Sequence, residues 1–122
     1  MGFVAVFEQA LDRPRLEAIL ASWLNRFEKV EQVASHDVAT FSIQTLKDII
    51  WDENLQFRIL NGDEFSWVYL TQNKFIIETT GQPHGDDVSL CLNLLTELPN
   101  LKTIIPDSDE KRLEELEKQG FI

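Results

Sequence analysis

Three strands and two turns are encoded in residues 55–79, LQFRILNGDEFSWVYLTQNKFIIET. From Leu55 to Ile59 every second residue is apolar, which is the period of a strand with one buried face. Asn61-Gly62 follows, and both residues tolerate the positive φ that hairpin turns require. Two further apolar runs continue to the end of the stretch. The pattern predicts an antiparallel three-stranded meander.

The register of the first hairpin can be inferred from the same alternation. A two-residue loop at Asn61-Gly62 would place Phe57 opposite Ser66 and split the apolar residues between the two faces of the sheet. A three-residue loop at Asn61–Asp63 keeps them together. We therefore expect the odd-numbered face to be the core, formed by Leu55, Phe57, Ile59, Phe65, Trp67, Tyr69, Phe75 and Ile77. Val68, Leu70 and Ile76 on the other face are too apolar for open solvent, so that face is expected to be partly covered.

The segments on either side of the meander predict helices and outer strands. Apolar residues at helical spacing indicate a helix over about 14–28, capped by Asp12, and a shorter one over about 43–51. Residues 30–41 fit either a short strand or an ordered loop. The remaining elements are a strand at 3–7, a helix at about 87–97, a strand at 101–105 and a final helix with a capping box of Asp107 and Glu110. The order is β-α-(α)-β-β-β-α-β-α.

This order describes a single α+β domain spanning residues 1–122, with the central antiparallel three-stranded meander inside a mixed sheet. A strand, helix, hairpin, helix and strand in succession fit a ferredoxin-like fold with an added strand and helix. The same order admits a second fold, which depends on the loop between the third strand of the meander and the next helix.

Composition excludes several functional classes. The net charge is −10, from 21 acidic and 11 basic residues, so the surface repels nucleic-acid phosphates and anionic lipids. A basic protein partner fits this charge better. Cys91 lies in an apolar run, which is typical of a buried small hydrophobe rather than a nucleophile. Because the sequence shows no signal peptide and no long apolar segment, we expect a cytoplasmic protein with no membrane association.

The loop Gln82-Pro83-His84-Gly85-Asp86-Asp87 is the most chemically suggestive stretch. It precedes a predicted helix, whose unpaired N–H groups attract anions. Asp86 and Asp87 compete for the same donors, so a capped helix after a turn is the favoured interpretation. The sequence predicts no metal site, since it has two histidines and no cysteine pair. It predicts no catalytic residue either, because neither histidine lies in a nucleophile motif, and Glu78 fits a solvated strand position.

The order of elements and this loop together resemble the GCN5-related N-acetyltransferase family, which implies a truncated acetyltransferase-like fold as the second interpretation. The family carries Gln/Arg-x-x-Gly-x-Gly/Ala at the corresponding loop, where backbone amides bind the pyrophosphate of acetyl-CoA. The resemblance implies acetyl-CoA as a cofactor, bound at Gln82, His84 and Gly85. Asp87 replaces the last small residue of the motif, and the family's last two strands have no counterpart before Ile122. The resemblance therefore implies a degenerate, inactive relative.

The favoured hypothesis is a non-catalytic acidic protein–protein interaction module, of adaptor, inhibitor or immunity type, without cofactor or metal. The alternative is an acetyl-CoA-binding N-acetyltransferase-like protein. A splay between the strands at 74–79 and 101–105 would favour the alternative. Continuous pairing of these strands, or a different neighbour for 101–105, would favour the ferredoxin-like module. The expected partner contacts lie on the sheet and on the final helix, at Arg58, Val68, Leu70, Glu110, Glu114 and Glu117.

Overall fold

A computed structural model of the chain describes residues 2–34, 39–81, 88–96 and 98–122. The helices and strands within these ranges are β1 (Gly2–Phe7), α1 (Arg13–Arg26), β2 (Lys29–Val33), β3 (Thr40–Ile43), β4 (Asn54–Asn61), β5 (Glu64–Thr71), β6 (Ile76–Gly81), α2 (Val88–Thr96), β7 (Leu101–Pro106) and α3 (Glu110–Lys118). A single 3-10 turn, Leu46–Asp48, lies between β3 and β4.

The described strands form a seven-stranded sheet in the order β3-β2-β4-β5-β6-β1-β7. All six ladders between neighbouring strands are antiparallel. The α+β class and the central meander, β4-β5-β6, are confirmed. The sheet is larger than predicted because β2 and β3 both form between residues 29 and 43.

Helices α1 and α2 cover one side of the sheet, which we call the covered face. The predicted cap of α1 is confirmed, since the Asp12 carboxylate accepts a hydrogen bond of 3.0 Å from the Arg15 N–H. Trp23 on α1 is 2% exposed, and its indole N–H donates to the Leu94 carbonyl of α2 at 3.3 Å. The two helices thus pack on each other as well as on the strands beneath.

The first hairpin has a different register from the one predicted. Asn61 pairs with Glu64 across a two-residue turn, Gly62-Asp63, in which Gly62 has a φ of 66°. The prediction of a three-residue loop was therefore wrong. So was the placement of three side chains in the core, because this register turns Phe65, Trp67 and Tyr69 to the side opposite the covered face. The even-numbered residues of β5 lie on the covered face instead, opposite the odd-numbered residues of β4. Each of these residues is at most 2% exposed: Leu55, Phe57, Ile59, Ser66, Val68 and Leu70.

Ser66 is the residue that makes this register possible. Its hydroxyl is hydrogen-bonded to the Thr79 hydroxyl, donates to the Thr80 carbonyl at 3.1 Å and lies 3.5 Å from the Cys91 sulfur. A buried polar group is tolerated when its hydrogen bonds are made. Ser66 can therefore occupy the covered face, and alternation alone could not reveal this because β5 is apolar on both sides.

Replacing Ser66 by valine is expected to destabilise the fold by about 1–3 kcal/mol, because the buried Thr79 hydroxyl loses its partner. The free energy of unfolding from urea denaturation measures the loss. The double variant Ser66→Val/Thr79→Val removes both polar groups and is expected to recover part of it. Equal stability of the single variant and the wild type would contradict the described register.

The predicted helix over 43–51 is replaced by the end of β3, the 3-10 turn and extended chain. Apolar residues three positions apart suit a 3-10 turn as well as an α-helix, which explains the error. The Asp48 carboxylate accepts from the N–H groups of Gln44 and Thr45 at 3.0 and 3.1 Å, and these bonds lower its pKa. Gln32 then holds the chain extended, since its amide pairs with both the N–H and the carbonyl of Ile50.

Helix α3 packs on the second side of the sheet, at one end. Its buried residue Leu116 contacts a small cluster on β1, β6 and β7: Val4, Val6, Ile76 and Ile105. The cap is Asp109, which accepts from the Arg112 N–H at 3.3 Å, so the predicted capping box at Asp107 was wrong. In the turn after the helix Gly120 has a φ of 85°, and the Phe121 N–H donates to the Leu116 carbonyl.

No described helix covers the second side of the sheet over β2, β4 and β5, and we call this part the open face.

None of the described helices is both long and apolar enough to cross a membrane.

Candidate interaction surface

The open face carries an aromatic patch, defined here as Phe65, Trp67 and Tyr69 of β5 together with Arg58 of β4. The rings of Phe65 and Trp67 pack edge to face, with centroids 6.2 Å apart and planes at 89°. Tyr69 is 44% exposed, an unusual value for an aromatic residue in the middle of a sheet. Tryptophan, tyrosine and arginine are the residues that most often dominate the binding energy of protein interfaces.

Arg58 is held across the patch by the rings. Its guanidinium carbon lies 5.0 Å from the Phe65 ring centroid and 5.9 Å from that of Trp67, within cation–π range. One of its terminal nitrogens is 3.8 Å from a Glu31 carboxylate oxygen. The Arg58 Nε is buried and has no hydrogen-bond partner in the described part of the chain. The patch is thus pre-arranged, and Arg58 lies on the open face, where the sequence placed it.

Glu31 lies between the two basic residues at this end of the face and offsets one of their two charges. Besides Arg58, its carboxylate lies 3.9 Å from the Lys29 ammonium and accepts from the Thr40 hydroxyl at 3.1 Å. The three charged groups together keep a net charge of +1, so a basic partner must gain its electrostatic attraction from the acidic residues elsewhere on the surface.

Two predicted contact residues lie elsewhere. Val68 and Leu70 are 0% exposed on the covered face, beneath the helices, so their prediction as partner contacts was wrong. This error follows from the wrongly predicted register of the β4–β5 hairpin, because a shift of one residue exchanges the two faces of a strand. Trp67 and Tyr69 occupy the positions that the prediction gave to Val68 and Leu70.

The predicted acidic residues Glu110, Glu114 and Glu117 are exposed on α3. At about 100° per residue they share one flank of the helix. Arg112 lies on the other flank and donates to the Thr103 hydroxyl of β7, the edge strand, at 2.9 Å. The glutamate flank is therefore turned away from the edge strand.

A pocket of about 400 Å³ opens at the end of the patch, between β5, β6 and the turn that joins them. Tyr69 and Glu78 form two of its walls, and they are directly opposite each other in the β5–β6 ladder. Thr71 also lines it, and the Thr71 hydroxyl is buried without a hydrogen-bond partner among the described residues. Glu78 is exposed, as predicted for a solvated strand position. Sequence reasoning missed this pocket because it had assigned Tyr69 to the core.

The described residues contain no group of three or more histidine, cysteine, aspartate or glutamate side chains that could bind a metal ion. Cys91 is buried, as predicted. The predicted acetyl-CoA residues Gln82, His84 and Gly85 lie outside the described ranges. Strand β7 pairs with β1, which separates it from β6 in the sheet.

Comparison with known proteins gives no relative: no family model, no curated protein and no solved structure matches the chain. The open face and its neighbouring charges are therefore the features from which a function can be proposed.

Proposed function

We propose that this chain is a non-catalytic protein–protein interaction module whose open face binds a basic partner protein. The observation that carries the proposal is the aromatic patch itself. Arg58, Trp67 and Tyr69 lie side by side on adjacent strands, with no described helix above them. Side chains of these types, partly exposed and already ordered, give a binding surface a low entropic cost of association.

Charge supports a basic partner over the other classes. The net charge of −10 attracts a basic protein at long range and repels nucleic acid. A second copy of this chain carries the same charge, so self-association is disfavoured at low ionic strength. The glutamate flank of α3 adds negative charge on the same side of the sheet as the patch, where it can attract basic residues of the partner.

The strand order favours this module over the acetyl-CoA-binding alternative. A cofactor cleft between the third meander strand and the strand at 101–106 requires those strands to be neighbours, and β1 lies between them. We therefore expect acetyl-CoA to leave thermal stability unchanged. A ligand present at a hundred times its dissociation constant would add about 2.7 kcal/mol, which a thermal-shift assay detects easily.

The variant Tyr69→Ser tests the proposal. Truncating a central aromatic residue of an interface weakens binding by about 2 kcal/mol or more, which is roughly thirtyfold or more in dissociation constant. We expect proteins captured by the wild-type chain from its native extract to include a basic protein that Tyr69→Ser releases. Titration calorimetry with that purified protein then measures the loss.

Leu92→Ser is the matched control, because Leu92 is 36% exposed on α2, on the other side of the molecule. It is expected to retain the partner. Capture that Tyr69→Ser and Leu92→Ser affect equally would contradict the proposal. So would an acidic partner, or a Tyr69-dependent dimer of this chain in sedimentation equilibrium.

A further inference from the structure

We propose that the pocket between Tyr69 and Glu78 binds one arginine side chain of the basic partner. This inference rests on the proposed function and assigns the anchoring residue of the partner and the place where it binds. The occupant follows from the three chemical groups in the pocket, which are an exposed aromatic ring, a carboxylate and an unpaired hydroxyl.

The ring and the carboxylate are arranged to act on the same cation. Because Tyr69 and Glu78 are opposite each other on antiparallel strands, their Cβ atoms are about 5 Å apart and on the same face. No lysine or arginine among the described residues lies within ion-pair distance of the Glu78 carboxylate. A cation entering between them gains a charge-assisted hydrogen bond and a cation–π contact together.

Thr71 lines the pocket, but its hydroxyl is turned away from solvent. The hydroxyl is buried without a partner in the described part of the chain, and an unpaired buried hydroxyl lowers stability. Rotation of the Thr71 side chain toward a bound donor would remove this penalty. The amide side chains of Asn54 and Asn73 line the same pocket and offer further acceptors.

Guanidinium fits these groups better than ammonium. It is planar and can stack on the Tyr69 ring, and its fork of N–H donors can bind both oxygens of the Glu78 carboxylate. An ammonium ion has no flat face to stack. The pocket volume of about 400 Å³ lies toward the lower end of ligand sites and opens to solvent, as suits a single side chain entering from a partner.

Lys74 is the group that opposes this binding, since it lines the same pocket and carries the same charge as the proposed ligand. It is exposed in the turn between β5 and β6, so it can turn outward when a cation enters. Removing the Lys74 charge should therefore have the opposite effect to removing the Glu78 charge: Lys74→Gln is expected to strengthen arginine binding.

The test uses N-acetyl-arginine methylamide as the probe and titrates it into the full, isotopically labelled chain while chemical shifts are recorded. We expect shifts centred on Tyr69, Thr71 and Glu78, and none with the citrulline analogue, which keeps the shape and lacks the charge. Glu78→Gln is expected to weaken binding about tenfold or more. Asp63→Asn changes the net charge equally at the far end of β5, about 20 Å away, and is expected to bind as the wild type does.

The outcomes separate this inference from the proposed function. Equal binding of the citrulline analogue, or of N-acetyl-lysine methylamide, would overturn the assignment of arginine. Shifts located elsewhere, or unchanged affinity in Glu78→Gln, would overturn the pocket. If the partner is still released by Tyr69→Ser in either case, the proposed function stands and the anchor assigned here is wrong.

Discussion

Replacing Leu70 by aspartate is expected to unfold the protein, whereas the same replacement at the neighbouring Tyr69 is expected to leave it folded. Leu70 is 0% exposed on the covered face, and Tyr69 is 44% exposed on the open face. A carboxylate at position 70 would be buried without a partner, at a penalty of about 4–5 kcal/mol or more. That penalty approaches the whole stability of an ordinary domain, roughly 5–15 kcal/mol.

Circular dichroism and urea denaturation of the two variants measure the difference. The pair is informative because the positions are adjacent and the introduced group is the same. The reverse result, a folded Leu70→Asp and an unfolded Tyr69→Asp, would restore the register predicted from alternation and remove the aromatic patch from the surface.

Replacing Trp23 by alanine is expected to destabilise the fold by about 3–5 kcal/mol, the largest loss we expect from a truncation in α1. The Trp23 ring is 2% exposed between α1 and the sheet, and its N–H donates to the Leu94 carbonyl. The variant thus leaves a cavity and removes the direct hydrogen bond between α1 and α2. The free energy of unfolding from urea denaturation measures this effect.

Trp51→Ala serves as the matched control for this prediction. Trp51 is half-buried and contacts the Arg13 guanidinium, whose carbon lies 4.7 Å from the ring centroid. Its removal leaves a site that solvent can fill, so the loss is expected to be clearly smaller than that of Trp23→Ala. Equal losses would mean that Trp23 is not a central contact of the covered face.

Elements with one buried side could be predicted from the sequence. Helix α1 has a single apolar stripe and a capping aspartate, and both were found as predicted. Strand β4 alternates strictly, so its buried residues Leu55, Phe57 and Ile59 were identified correctly. In these segments the pattern of side chains allows a single orientation.

Strand β5 could not be oriented in this way, because both of its sides are apolar. The choice depends on hydrogen bonds that the strand makes with β6, and above all on a partner for the Ser66 hydroxyl. Such a contact between residues distant in sequence leaves no mark on local periodicity. The 3-10 turn near Asp48 was missed for a similar reason. The segment after it is held extended by hydrogen bonds from the side chain of Gln32, which is distant in sequence.

The candidate surface could be predicted in part. The exposed glutamates of α3 and the position of Arg58 on the open face were predicted from charge and alternation. The aromatic component was assigned to the wrong side, because a one-residue register shift exchanges every side chain of a strand. The pocket at Tyr69 and Glu78 therefore became visible only once the ladder between β5 and β6 was known.

Solvent paramagnetic relaxation along β5 is the most direct test of whether the open face is the binding surface. A neutral gadolinium chelate is expected to relax the side-chain protons of Tyr69 strongly and the methyl protons of Leu70 weakly. Adding the basic partner identified by capture should protect Tyr69 and Trp67 while leaving the exposed turn at Asp63 accessible. Strong relaxation at Leu70, or a bound partner that leaves Tyr69 as accessible as before, would contradict the account.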